Sequence, residues 1–493
     1  MKQDIALNPG QPSRWLWIIA ATFLVSCASA YLIARYGVDQ HVDSLTLPVA
    51  GRTLNQFMAV LLTCIALILP LTANLYTPRL VSLYVRHPLI VSMLVLLLFS
   101  QIICLVLNFL PVPSRLNHIL VGLLTLIYLL VILGALPFLY GISRFLRPIF
   151  FVPMLTQKGV QSLGRLARGD TRPVNGENLF HTVDVVTNLA LTGMNRGDRQ
   201  LVLLALESLH LFLVRVIANS GGDSRAWRAL EPRFLPGLAR EGQEFLVRES
   251  IWPEAYVLGQ LLKIMENASK HQHEILAEMA SHLLLSTQMA VDTGMDRVTE
   301  LHQMAFNTLM RDAVEDQDLR RFQNLSACFR QLIEVLVPQG HRMHEAVQHL
   351  IHYAKLADRA GMPLVMETVV YDLAETVLTV GRCAPGPALE IIQAWAGPLW
   401  QESLEGPPHL RKVAWRALVR VHWEAKAAGL EAIRESVYWR FLTDDAIHRE
   451  QIELVLAENR ELHTEFNDRI MKFGHISPEA ERLAQEFLAD LPL

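Results

Sequence analysis

Acidic residues are absent from a long stretch of this sequence, since there is no aspartate or glutamate between Asp43 and Asp170. Residues 1–150 hold nine Lys/Arg and three acids, whereas the remainder holds 35 Lys/Arg and 45 acids. The missing carboxylates argue against proton-coupled transporters and cation pumps, which use an acidic group at membrane depth. The acidic balance of the remainder argues against nucleic acid as a partner.

Signatures of the common enzyme classes are also missing. The sequence contains no Walker-type phosphate loop, dinucleotide glycine fingerprint or nucleophile-elbow serine motif. The five cysteines are scattered, and no pair has the spacing of metal ligands. His344 and His349 flank a near match to the zinc-protease helix, but their interval of five residues turns the second ring away from a shared metal. We therefore expect no enzyme, no cofactor and no metal.

Apolar residues are concentrated near the amino terminus. Each of the long runs there is close to the ~20 residues that cross a bilayer as a helix, and tryptophan and tyrosine lie near the run ends, as at membrane interfaces. We predict an all-α protein whose residues 1–142 form a four-span transmembrane domain; the alternative is four buried helices of a large soluble protein. The runs are about residues 14–34, 57–76, 89–110 and 119–141.

Basic residues in the short connections predict the orientation. If the runs alternate in direction, more Lys/Arg lie on the side that carries Lys2, Arg79 and Arg144 than on the side of Arg35, Arg52 and Arg115. The richer side is cytoplasmic by the positive-inside rule. We expect a multi-pass protein of the bacterial inner membrane with both termini in the cytoplasm.

Residues 143–176 read as a basic juxtamembrane segment followed by a polar linker. Up to Gly169 this segment mixes five basic residues with many apolar ones and contains no acid. Such segments lie on anionic lipid headgroups; alternatively, they form a collar that couples a cytosolic domain to the spans. The predicted cytoplasmic basic collar comprises Arg79, Arg86, Arg144, Arg147, Lys158, Arg165 and Arg168.

Residues 177–493 predict a cytosolic, entirely helical domain. Strand-like alternation is essentially absent, and short Gly/Pro connections separate segments of helical length. The succession favours an α-solenoid or an irregular bundle, although no clean repeat consensus is visible. Predicted helices are 182–192, 199–218, 253–269, 272–292, 297–313, 319–337, 341–360, 363–380, 388–403, 408–428, 444–473 and 478–488.

Two further features are candidate sites. Pro70, Thr72 and Asn74 lie in the second run. Proline leaves one backbone carbonyl without its helical hydrogen bond, and this carbonyl could line a pore together with the polar side chains. The alternative is a packing kink with interhelical hydrogen bonds. His341, His344, His349 and His352 fall on one helical side opposite Met343, Val347, Leu350 and Ala354. This His face is either solvated or a site for metal binding or pH sensing.

Part of the chain resembles a known family. Thr77-Pro78-Arg79-Leu80 lies between the second and third runs within Leu69–Leu107, and Val185–Leu209 follows the last run. Both stretches resemble the bacterial predicted-membrane-protein family called domain of unknown function 2254, although Gly193–Asp198 departs from the turn usual there. The resemblance implies this architecture and no activity.

Two functions from different classes follow from these features. Short outer loops, uncharged runs and a basic inner collar favour a homo-oligomeric channel or pore-like assembly with a cytosolic regulatory domain. The alternative is a non-conducting membrane scaffold whose helical array docks protein partners. A membrane enzyme acting on lipids ranks third, because no convergent nucleophile or metal set is visible.

Overall fold

The computed structural model describes scattered positions between residues 52 and 131 and most of the chain beyond residue 146. All regular structure there is α-helical, which confirms the all-α prediction. Contacts divide the chain into two compact units, Met1–Leu155 and Thr156–Leu493, so the boundary falls inside the basic segment 143–176. Beyond residue 146 the described ranges are 147–168, 173–220, 239–268, 273–362, 364–405, 408–441, 449, 452–457 and 476–490.

The first unit exposes many large apolar side chains. Its described residues between 52 and 131 are helical, and they hold eight of the fifteen exposed large apolar side chains in the described parts of the chain. Leu67 is 66% exposed and Leu98 62% exposed, whereas Ile127 and Val131 are buried. The first predicted span and most of the other three lie outside the described residues.

Most of the second unit consists of helices joined by short connections. They are α1 (Pro148–Ala167, which crosses the boundary between the units), α2 (Pro173–Arg196), α3 (Arg199–Ser220), α4 (Arg240–Arg248), α5 (Trp252–Ala268), α6 (His273–Asp292), α7 (Asp296–Glu315), α8 (Leu319–Val335), α9 (Gly340–Arg359), α10 (Val365–Gly381), α11 (Pro385–Glu405), α12 (Pro408–Ala427), α13 (Glu431–Phe441) and α14 (Pro478–Asp490).

Several predicted boundaries need correction. The prediction of a polar linker up to residue 176 is wrong at its end. The helix α2 begins at Pro173, nine residues before the predicted start at Thr182. Proline is favoured in the first turn, where its missing N–H removes no helical bond, and α1, α11, α12 and α14 also begin with proline. The short helices α4 and α13 were not predicted. Of the predicted helix 444–473, the described residues Arg449 and Ile452–Ala457 are helical.

The helices pack as a row of hairpins in two layers. Layer A contains α3, α6, α8, α10, α12 and α14, and layer B contains α2, α5, α7, α9, α11 and α13. Each helix packs on the next member of its own layer, and consecutive helices pack across the layers as hairpins, for example α2 with α3, α7 with α8 and α9 with α10. Short connections make the paired helices antiparallel. A continuous apolar core runs between the layers.

A recurring turn ends many of the helices. Gly197, Gly294, Gln317, Gly361 and Gly429 have φ between 52° and 77°, and the next N–H donates to the carbonyl five residues back, as in a Schellman turn. The accepting residues are small in these five turns (Gly193, Ala290, Ala313, Ala357 and Ala425), whereas the same turn at Ser250, with φ 57°, uses the carbonyl of Leu246. In each of the five turns a small residue lies four positions before the residue in the left-handed conformation. This spacing is a structural repeat, although the core residues show no clean consensus.

One helix among the described residues is long and apolar enough to cross a membrane, the stretch Arg199–Asn219 of α3. Of its most apolar 18 residues, 56% are buried inside the protein. Leu209, Phe212 and Val216 are completely buried. Such burial is typical of a core helix in a folded domain.

Candidate functional site

A row of half-buried charged side chains crosses three consecutive helices of layer A. In α10 every residue is buried except Glu367, Glu375 and Thr379, so these side chains mark the one side of α10 that reaches solvent. The neighbouring helices contribute charges spaced one turn apart, which places each pair on one helical side. We call the set the polar row: Arg330, Glu334, Glu367, Glu375, Arg416 and Arg420.

Ion pairs connect the members of the polar row. The Nη2 atom of Arg420 donates a hydrogen bond of 2.6 Å to Oε2 of Glu375, and Arg416 Nη1 lies 3.7 Å from Oε1 of Glu367. On α8, Arg330 Nη1 lies 3.9 Å from Oε1 of Glu334. The two α10–α12 pairs hold neighbouring hairpins at a fixed spacing.

Partial burial strengthens the electrostatic interactions of these charges. The side chains of Arg420 and Glu334 are only 13% and 26% exposed. Burial raises the pKa of Glu334, and the nearby Glu375 carboxylate raises it further, while Arg330 lowers it. Partly buried charges interact more strongly than surface charges because solvent screens them less. The polar row therefore offers charge-assisted hydrogen bonds to a polar partner, and it contains no nucleophile.

A stacked histidine pair lies on another part of layer A. The imidazoles of His210 on α3 and His282 on α6 have ring centroids 4.5 Å apart and planes inclined by 34°. Nδ1 of His210 and both ring nitrogens of His282 are buried without a hydrogen-bond partner. Burial is the largest cause that lowers the pKa of His210, and His282 and His302 lower it further, to about 4. The ring is therefore neutral at pH 7.

His302 on α7 is fully enclosed beside this pair. Its Nδ1 lies 2.8 Å from the carbonyl oxygen of Val298, which requires a proton on Nδ1, and its Nε2 lies 2.9 Å from Oγ of Ser286. Burial lowers the pKa of His302 to about 4, although the bond to Val298 acts in the opposite direction. In the described part of the chain, no group of three His, Cys, Asp or Glu residues can hold a metal ion.

The four histidines of the predicted His face on α9 all lie at least partly at the surface, opposite a buried side. Met343, Val347, Leu350 and Ala354 are completely buried, as expected for the opposite side. His341 and His352 are exposed, whereas His344 and His349 are half-buried. His349 Nδ1 lies 3.2 Å from Nδ2 of Asn307 on α7, and His344 Nε2 lies 2.9 Å from Nε2 of Gln348.

The predicted basic collar is described in part. Arg147, Lys158, Arg165 and Arg168 are exposed, and α1 contains no acidic residue. Lys158, Arg165 and Arg168 lie within about 80° on one helical side at 100° per residue. Arg79, Arg86 and Arg144, and the pore candidates Pro70, Thr72 and Asn74, lie outside the described residues.

Sequence reasoning missed both the polar row and the stacked histidines. A weak signal existed for the row, because the charged pairs Arg330/Glu334 and Arg416/Arg420 are each spaced i and i+4 on one helix. No local signal predicts the histidine pair, since its members are 72 residues apart and meet only through the packing of α3 on α6.

No family model, no curated protein and no solved structure matches this chain. The resemblance of Leu69–Leu107 and Val185–Leu209 to the predicted-membrane-protein family stays a prediction.

Proposed function

We propose that this protein is a membrane-anchored docking scaffold whose helical stack presents the polar row to a protein partner. The observation that carries the proposal is the two-layer order of hairpins with half-buried charges along α8, α10 and α12. Stacked hairpins of this kind form an α-solenoid, in which successive helices of one layer line an extended binding surface. The regular layers support the solenoid interpretation over the irregular bundle.

The exposed apolar side chains of the first unit support a membrane anchor. Soluble proteins rarely leave many large apolar groups in water, yet Val60, Leu67, Val95 and Leu98 are each more than half exposed on helical residues. They fall in the second and third of the apolar runs. A multi-pass anchor with its termini in the cytoplasm accounts for their exposure to lipid.

The exposed face of α1 supports contact with anionic lipid. Lys158, Arg165 and Arg168 share that face and are exposed. Each basic side chain near an anionic surface contributes on the order of 1 kcal/mol. We propose that the exposed face of α1 lies on the headgroups of the inner leaflet.

Site-specific crosslinking of the full-length protein in its native membrane tests the docking surface. A photoreactive residue at Gln331, exposed next to Arg330 on α8, is compared with one at Gln348, exposed on α9 of layer B. We expect one reproducible adduct from position 331 that disappears in Glu375→Gln/Arg420→Gln, and none from position 348. Equal labelling from both positions, or no adduct from position 331, contradicts the proposal.

Ion flux separates the scaffold from the channel. Purified protein in sealed liposomes should leave chloride and sodium gradients intact if it is a scaffold. Flux that depends on the protein would instead favour a homo-oligomeric channel and would direct attention to Pro70, Thr72 and Asn74.

A further inference from the structure

The stacked histidines occupy the joint between the first two hairpins of the stack. His210 belongs to α3, the layer-A helix of the hairpin α2–α3, and His282 belongs to α6, the layer-A helix of the hairpin α5–α6. The two helices pack directly on each other. The ring contact of 4.5 Å is therefore part of the surface that holds one hairpin to the next.

Most of the imidazole nitrogens in this joint lack a hydrogen-bond partner. Nδ1 of His210 and both nitrogens of His282 are buried and make no hydrogen bond. A neutral imidazole leaves one nitrogen as a donor and one as an acceptor, whereas an imidazolium has two N–H donors. Protonation adds a donor to rings of which three nitrogens are buried without a hydrogen-bond partner, and protonation of both rings puts two positive charges in contact.

We propose that this stacked pair makes the joint between α3 and α6 an acid-sensitive latch, closed while both rings are neutral and loosened when they take up protons. The inference rests on the packing of α3 against α6 and does not depend on the proposed scaffold function. Loosening this joint changes the spacing of the first two hairpins, while the joints among α8, α10 and α12 contain no stacked histidines.

The charged and titratable groups around the pair set the direction of its response. Glu207 on α3 and Glu278 on α6 are exposed and favour a proton on His282, but burial outweighs them and lowers its pKa. His302 on α7 lowers the pKa of His210. Among the described residues of α1, α2, α5 and α8, no charged group shifts either pKa. Both rings therefore resist protonation in the closed joint and accept it more readily once the joint opens.

Hydrogen exchange of the full-length protein in nanodiscs tests the latch. After correction for the intrinsic pH dependence of exchange, we expect protection of the α3 amides to fall about tenfold or more between pH 7 and pH 5. Protection of α10, which is distant in the layer order from the pair, should fall clearly less than that of α3. Flat protection of α3 over this range in the unmodified protein overturns the inference.

Variants assign the response to the pair. His210→Phe/His282→Phe keeps two stacked rings without titratable nitrogens, so its α3 protection should not respond to acid. His302→Gln removes the neighbouring titration and should retain most of the response, and His341→Gln, on the exposed part of α9, should retain all of it. If the double variant does not fold, His282→Asn replaces it. An undiminished acid response in the folded variant that lacks the stacked pair contradicts the latch.

Discussion

The hydroxyl of Ser326 donates a hydrogen bond of 2.6 Å to Oδ2 of Asp372, and both side chains are buried where α8 packs on α10. This bond joins two consecutive helices of layer A. A buried carboxylate is costly unless donors satisfy it, so Ser326 stabilises an interhelical contact that apolar packing alone does not specify.

Removing that donor should destabilise the stack. We expect Ser326→Ala to lower the free energy of unfolding by about 1–3 kcal/mol, because the Asp372 carboxylate loses a donor in a buried place. Urea unfolding followed by circular dichroism in detergent measures the change. The control is Ser208→Ala, whose hydroxyl bonds only to Leu204 O in its own helix and should cost much less. Equal losses in the two variants would refute the special role of Ser326.

The recurring turns predict opposite effects for two glycine substitutions. Gly361 has φ +77° and Gly164 has an ordinary helical φ, and a Cβ at either position meets no atom within 4 Å. Gly361→Ala should cost about 1 kcal/mol because of backbone strain. Gly164→Ala should stabilise α1 by about 0.5–1 kcal/mol through helix propensity. Thermal melts of both variants against the parent check the signs, and a stabilising Gly361→Ala would contradict the turn assignment.

Stability should fall with acid because of His302. Its pKa is about 4 in the folded protein against 6.5 for an unperturbed histidine, so the unfolded chain binds more protons between these values. The free energy of unfolding therefore decreases as pH falls from 6.5 through 4, by on the order of 3 kcal/mol in total from this group. His302→Gln should be less stable than the parent at pH 7 and should lose less between pH 7 and pH 5. His341→Gln should follow the parent curve.

Contact of α1 with anionic lipid predicts a composition-dependent environment for its exposed face. A nitroxide at Gln161 in the reconstituted protein should become less accessible to a water-soluble relaxation agent when phosphatidylglycerol is added to phosphatidylcholine. Lys158→Glu/Arg165→Glu should abolish this change. A nitroxide at Gln348 on α9 serves as the control. Equal accessibility in both lipid mixtures would contradict the placement of α1.

The sequence predicted the helical class and most core helices because their apolar periodicity is local. For 199–218, 319–337 and 341–360 the predicted starts agree with the structure to within one residue, since charged first turns and Gly/Pro connections delimit these helices. The prediction failed at α2, where polar residues after Pro173 resemble a linker although they form the first turns of a helix. The helices α4 and α13 are too short for their apolar residues to produce a clear period.

The candidate site was less accessible to sequence reasoning because it depends on which helices become neighbours. Four histidines close together in the sequence attract attention, yet His341 and His352 are exposed, whereas His210 and His282 are far apart in the chain and share a joint. Likewise, the pairing of Glu375 with Arg420 follows from the layer order, which hydrophobic periodicity does not specify.

The layer order also has a consequence for biosynthesis. Because each hairpin packs mainly on its immediate neighbours, a newly made hairpin can dock on the preceding one without waiting for the end of the chain. At synthesis rates of about 5–20 residues per second, the stack can grow from the ribosome in the order of translation. Apolar surface of the last hairpin is then exposed only for the few seconds before its successor covers it.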